Sequence, residues 1–154
     1  MFKRLKNRCF WISLFVRQNE YHKYSVLFHT LAVTTQTIKA KQYKMITAAL
    51  LHDIGKPFSA YQKPEDIEDG YFSFTNHEEF SYHIIKNWPF ISDYTKNLVR
   101  YHYIIRDLGK SKKKGNLSRH YRLKKRYDKL NLDFQKEIAL FMSLDDKGKK
   151  SFLK

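Results

Sequence analysis

Six side chains of metal-ligating type are spread along this chain in four groups: His29, the adjacent pair His52-Asp53, the histidines His77 and His102, and Asp145 close to the last residue. Imidazole nitrogens and carboxylate oxygens together suit a divalent ion such as Mn, Fe, Co, Ni or Zn. The single cysteine, Cys9, cannot build a thiolate zinc site and cannot close an internal disulfide, so no oxidising compartment is implied and a cytoplasmic location is expected. A lone histidine on a helix is usually an ordinary core or surface residue; the joint pattern is what points to metal. In Leu50-Leu51-His52-Asp53-Ile54-Gly55-Lys56-Pro57, two ionisable residues follow an apolar run. Burying them unpaired is costly, so they need a partner or an ion. Neighbouring residues do not share a helix face, but at a helix end, where the chain turns through Gly55, both could reach one site.

The elements that must position these residues read as helices. Apolar periodicity predicts them near 2–17, 25–40, 43–54, 77–88, 91–106, 118–129 and 133–147, and the scarcity of glycine (5) and proline (3) argues against a turn-rich β fold. At 154 residues with 42% hydrophobic content, one domain spanning 1–154 with a real core is expected. The helix at 43–54 is apolar on most sides and belongs in the centre. Residues 2–17 begin basic and continue apolar, like the start of a signal peptide. No small-residue cleavage site follows and the run is too short to span a bilayer, so an amphipathic helix packed on the domain is preferred, with membrane-surface contact as the lesser reading. Residues 57–76 form the longest loop, with Glu65, Asp66, Glu68 and Asp69. Asn76 is placed to cap the next helix, with Glu78 and Glu79 in its first turn.

The formal net charge of +15 favours an anionic partner or serves as a solubilising surface. Lys110, Lys112, Lys113, Lys114, Arg119, Arg122, Lys124, Lys125 and Arg126 crowd the stretch 106–129, with Tyr121 and Tyr127 among them. Such a run is either a nucleic-acid contact or a solvated face.

The order His, His-Asp, His, His, Asp resembles the HD superfamily of metal-dependent phosphohydrolases, with His52-Asp53-Ile54-Gly55-Lys56 its most specific part. Within it, the chain is most similar to the HD domain attached to bacterial CCA-adding tRNA nucleotidyltransferases and to related phage proteins. Gln18-Asn19, His22 to Val26 and His29-Thr30 resemble that domain's opening segment, Asn76 to Glu79 its second half, and Asp145 to Lys149 its closing motif. The resemblance covers about 18–149 and does not extend to the nucleotidyltransferase half, so no nucleotide-adding activity is expected of it.

The resemblance implies an all-α helical bundle of about six or seven helices. It implies one metal on His29, His52, Asp53 and Asp145, and a second on His77 and His102 bridged by Asp53. The cofactor expected is thus one or two divalent ions (Mn, Fe, Co, Ni, Zn or Mg). Asp145 is preferred because Asp-x-x-Gly-Lys aligns from it; Asp146 is the alternative. Asp53 is implied in catalysis and Lys56 in phosphate contact. Glu78 or Glu79 could shuttle protons or serve the helix dipole. His22, His83 and His120 are given no role; His83 is expected in or beside the core. The activity expected is hydrolysis of a phosphate ester of a nucleotide, RNA or DNA. A non-catalytic RNA-binding module and a di-iron oxygenase are the rival classes.

Overall fold

Residues 26–37 show how the chain organises itself: Val26, His29, Ala32, Val33, Gln36 and Thr37 recur every three or four positions and are all buried. This stripe belongs to helix α1 (Val26–Lys39) in the computed structural model, which describes residues 3–4, 15, 18, 22–62, 64, 67–68 and 70–150. A 3-10 turn (Tyr43–Met45) leads to α2 (Ile46–Leu51) and α3 (Lys56–Ser59). Then come α4 (His77–Ile85), α5 (Asp93–Tyr101), α6 (Ile104–Lys113), α7 (Leu117–Asp128) and α8 (Leu132–Lys150). Six of these helices have nine residues or more, as an all-α bundle requires.

Helix α1 packs on α8 and α2, α2 on α5, α4 on α5, and α6 on α7. Val33, Met45, Ala48, Ala49, Ile85, Leu98, Val99, Ile138, Phe141 and Leu144 fill the core between them. Gly148 lets α8 approach α1 closely, because a Cβ there would lie 2.6 Å from Val33 Cγ2 and 2.9 Å from its backbone nitrogen. Helix starts carry side-chain caps at Ser92, Asn116 and Asn131, which accept from the amides of Thr95, Arg119 and Phe134.

Three expected helices are shorter than their periodicity suggests; 77–88 ends at Ile85, and the other two break at a histidine of the proposed ligand set. His52 Nδ1 lies 2.8 Å from the carbonyl of Ala49, and His102 Nδ1 lies 2.7 Å from that of Val99. These carbonyls are the acceptors that a continuing helix offers to the amides of residues 53 and 103. The segment 43–54 therefore ends as a helix at Leu51, and 91–106 divides into α5 and α6. Helix α2 is also not buried all round: Ala48 and Ala49 are buried, but Leu50 is 46% exposed.

The long loop 57–76 contains α3 and a small antiparallel sheet. Strand β2 (Ala60–Gln62) pairs with β3 (Ser73–Phe74) in the register Ala60↔Phe74, and with β1 (Lys3–Arg4) in the register Arg4↔Tyr61. Lys3 and Arg4 are thus strand, not the start of an amphipathic helix; they satisfy backbone groups that the edge of β2 would otherwise leave open. Phe15 is exposed, and the rest of 2–17 lies outside the described residues, as do Glu65, Asp66 and Asp69. Asn76 does precede α4, but it holds a left-handed conformation (φ 57°) and makes no capping bond; asparagine tolerates that conformation better than most residues.

Candidate metal centre

The six residues His29, His52, Asp53, His77, His102 and Asp145 meet in one buried cluster. His29 comes from α1, His52 and Asp53 from the turn after α2, His77 from the first position of α4, His102 from the α5–α6 break, and Asp145 from α8. The turn after α2 is clamped against α4. Ser81 Oγ donates to the carbonyl of His52 (2.7 Å) and accepts from the amide of Gly55 (2.9 Å). Gly55 itself has an ordinary φ of −82°, so it is not there to leave the helical conformation. It is there for space: a Cβ would lie 2.3 Å from the Ser81 nitrogen and 2.5 Å from the His77 carbonyl oxygen.

Candidate ligand atoms form two triads, His29-His52-Asp53 and Asp53-His77-His102, each with its atoms within 4.8 Å of one another. Asp53 is common to both. Its Oδ2 lies 3.2 Å from His52 Nε2 and 3.5 Å from His29 Nε2, and its Oδ1 lies 3.4 Å from His77 Nε2. Asp145 Oδ1 adds to the first triad, 2.9 Å from His29 Nε2. Asp146 instead is part-exposed and pairs with Arg106 and Lys149 at 2.9 and 2.7 Å. Of the two carboxylates, Asp145 is the one that faces the histidines.

The imidazoles are oriented for ligation. His52, His77 and His102 each place Nδ1 within 2.7–3.0 Å of a backbone carbonyl, which can only accept. In the neutral ring this leaves the Nε2 lone pair inward, the tautomer that such an outer bond fixes in metal sites. Burial pushes His77 well below the usual histidine range and His102 down to about 4. Burial also lowers His29, whereas at His52 the adjacent Asp53 carboxylate outweighs burial and holds the ring above its ordinary value. Although burial alone would raise them, Asp53 is held well below the carboxylate range by His52 and Lys56, and Asp145 by His29 and Lys149.

His52 Nε2 and Asp53 Oδ1 are buried and make no well-formed hydrogen bond among the described residues. Orphaned polar atoms of this kind are costly unless a cation or water satisfies them. The donor set, all imidazole and carboxylate, suits a divalent ion.

A cleft of about 730 Å³ opens over the cluster. Lys56 is buried in it. Its Nζ lies 2.7 Å from Asp53 Oδ2 and donates to Gln18 Oε1 at 2.5 Å, so it is not an exposed helix-end lysine. Arg106, Lys110, Lys114 and Arg119 line the wall formed by α6 and α7. Of the nine basic residues singled out in the sequence, Lys110, Lys114 and Arg119 line this cleft. Lys124 pairs with Asp128 and Arg126 with Glu79, while Lys112, Lys113, Arg122 and Lys125 are exposed. Tyr121 is exposed and Tyr127 packs on the core.

Sequence reading missed Gln18, His22 and Arg106, all of which line the cleft. His22 stacks edge-on against His29 at 5.1 Å between ring centroids. The recoverable signal was the spacing Tyr103-Arg106-Lys110-Lys114, which is one face of a helix. Glu78 also lines the cleft, and burial raises its carboxyl to about 7. His83, expected at the core, is exposed on α4, whose buried positions are His77, Ser81 and Ile85. His120 joins α7 to α6, with Nδ1 3.2 Å from the carbonyl of Leu108.

A family model for the HD domain matches residues 26–133, well over half of the chain. The chain belongs to the HD-domain family, a superfamily of generally metal-dependent phosphohydrolases that bind divalent metals. It matches no curated protein and no solved structure. Five of the six clustered residues fall within the matched span, and Asp145 lies beyond it. Among the described residues no helix is long and apolar enough to cross a membrane.

Proposed function

We propose that this chain hydrolyses a phosphate ester of a nucleotide or nucleic acid at the Asp53 centre. The observation that carries the reading is one carboxylate shared between two buried triads, at the base of a cleft with a cationic wall. His29, His52, Asp53 and Asp145 would hold one divalent ion, and Asp53, His77 and His102 a second. Such ions, when bound, supply Lewis acidity and a water of lowered pKa.

The chain's own residues do the rest. The Nδ1 contacts of His52, His77 and His102 fix their rings, and Arg106 and Lys149 restrain Asp145 from the outer side at 3.1 and 3.3 Å. Lys56 balances the charge of Asp53 and borders the cleft where a phosphoryl oxygen would arrive. The cationic wall would bind the remainder of an anionic substrate. The resemblance to the HD domain of CCA-adding enzymes and phage proteins leans toward a nucleic-acid or nucleotide substrate.

The test is a screen of the purified protein with Mn, Ni, Co and Mg against nucleoside monophosphates, 2′,3′-cyclic phosphates, cyclic dinucleotides and short RNA and DNA. Metal-dependent turnover that vanishes in Asp53→Ala is expected. Turnover equal in that variant, or none with any metal, overturns the proposal.

A further inference from the structure

Among the described residues, six lysines and arginines line the cleft: Lys56, Arg106, Lys110, Lys114, Arg119 and Lys149. Four already face carboxylates. Lys56 faces Asp53, Arg106 and Lys149 face Asp145, and Arg119 faces Asp107, at 2.7 to 3.3 Å. Lys110 and Lys114 are the two that pair with no carboxylate among the described residues.

Their placement is not random. They stand four residues apart along α6 and its C-terminal cap, on the face that begins with Tyr103 beside His102. At 1.5 Å per residue, the path from Tyr103 to Lys114 is about 16 Å, so one phosphate at Asp53 cannot reach its far end. Lys110 is held in place: its Nζ donates to the Tyr103 hydroxyl at 2.5 Å and lies 4.8 Å from that ring's centroid. Beyond Lys114, Gly115 adopts φ +65° and turns the chain back, so that Asn116 and Arg119 face the same cleft. Lys112 and Lys113, on the same helix, do not line it.

We propose that Lys110 and Lys114 form a second phosphate subsite, and that the substrate is a nucleotide carrying a further phosphoryl group beyond the one at Asp53. This rests on the phosphohydrolase reading above. The further phosphate belongs either to a free bisphosphorylated nucleotide or to the next residue of a strand; the shared chemistry is a phosphoryl dianion or diester held by two ammonium groups.

Three probes test it: adenosine 5′-monophosphate, adenosine 3′,5′-bisphosphate and a 5′-phosphorylated tetranucleotide. Each is titrated on ice into the metal-loaded protein, and products are measured in the same samples. The two longer probes should bind about tenfold more tightly than the monophosphate, the gain expected of one added charge-assisted contact. Lys110→Ala/Lys114→Ala should lose that gain, and Lys112→Ala/Lys113→Ala, which removes equal charge from the same helix, should keep it. A tetranucleotide that outbinds the bisphosphate identifies a strand as the ligand; equal binding identifies a free nucleotide. A gain that survives Lys110→Ala/Lys114→Ala, or that both double variants abolish alike, overturns the subsite. Binding that follows the expected pattern without any product supports the subsite and counts against the phosphohydrolase reading alone.

Discussion

His77 Nε2 lies 3.3 Å from His102 Nε2, although the two residues are 25 positions apart. Each ring directs Nδ1 at a carbonyl, and burial keeps each neutral. Two inward lone pairs then face each other beside Asp53 Oδ1, an arrangement that a cation stabilises and an empty site does not. His77→Ala should therefore lower the metal content from about two ions per chain to about one, leaving the His29-side ion in place. Elemental analysis of both proteins checks this. A content of one ion, unchanged by the substitution, returns His77 and His102 to a structural or substrate-contact role.

Arg106 extends that logic to the outer side of the cluster. It pairs with Asp145 at 3.1 Å and with Asp146 at 2.9 Å, and Lys149 backs both. Arg106→Ala should weaken metal binding roughly tenfold to a hundredfold, as loss of an outer-sphere partner does. Arg106→Lys should recover part of this, since it keeps the charge but loses the planar guanidinium whose Nη2 reaches both carboxylates. Competition with a chromogenic chelator measures it. Affinity unchanged in the alanine variant contradicts the restraining role.

Metal-free protein should lose stability on mild acidification. His102 titrates at about 4 when folded against an ordinary 6.5, so below pH 6.5 the unfolded chain takes up the proton first. Each such histidine lowers stability by about 1.4 kcal/mol per pH unit between those limits. His29 and His77, also lowered by burial, act in the same direction. His52, raised beside Asp53, acts in the opposite one. Asp53 and Asp145, both held low, contribute a further loss only below the ordinary carboxylate range. The urea midpoint of chelated protein should be lower at pH 5 than at pH 7. An equal or higher midpoint at pH 5 contradicts neutral, buried imidazoles.

Gly55→Ala should destabilise the fold by about 1–3 kcal/mol, the range for a methyl forced into a packed site. The added carbon would meet backbone atoms of Ser81 and His77 at 2.3 and 2.5 Å, which cannot rotate away. Because His77 moves with that backbone, metal content should fall together with the melting temperature. A variant that melts like wild type shows that α4 can shift without cost.

Much of the centre is legible in the sequence because ligand type and helix ends are local properties. His52-Asp53 follows an apolar run, and His29, His77, His102 and Asp145 lie on separate periodic segments. The breaks after Leu51 and Tyr101 are not legible, since each accompanies an imidazole directed at a carbonyl of the preceding turn, and ring orientation is set by the whole cluster. The reason for Gly55 is equally non-local, lying in α4 and not in its own dihedral angles. Charge patterning identified a basic stretch but not which residues face the cleft. Arg126 is taken up by Glu79 from α4, a pairing across 47 positions, while Lys110 and Arg106 turn inward with the face of α6.

The most direct test of the shared carboxylate is metal content and phosphate-ester turnover measured together in wild type and Asp53→Ala. Asp53 contributes to both triads, so one substitution should strip both ions and abolish turnover, while His83→Ala, an exposed position on α4, should change neither. Two ions and full turnover retained in Asp53→Ala would contradict the account at its centre.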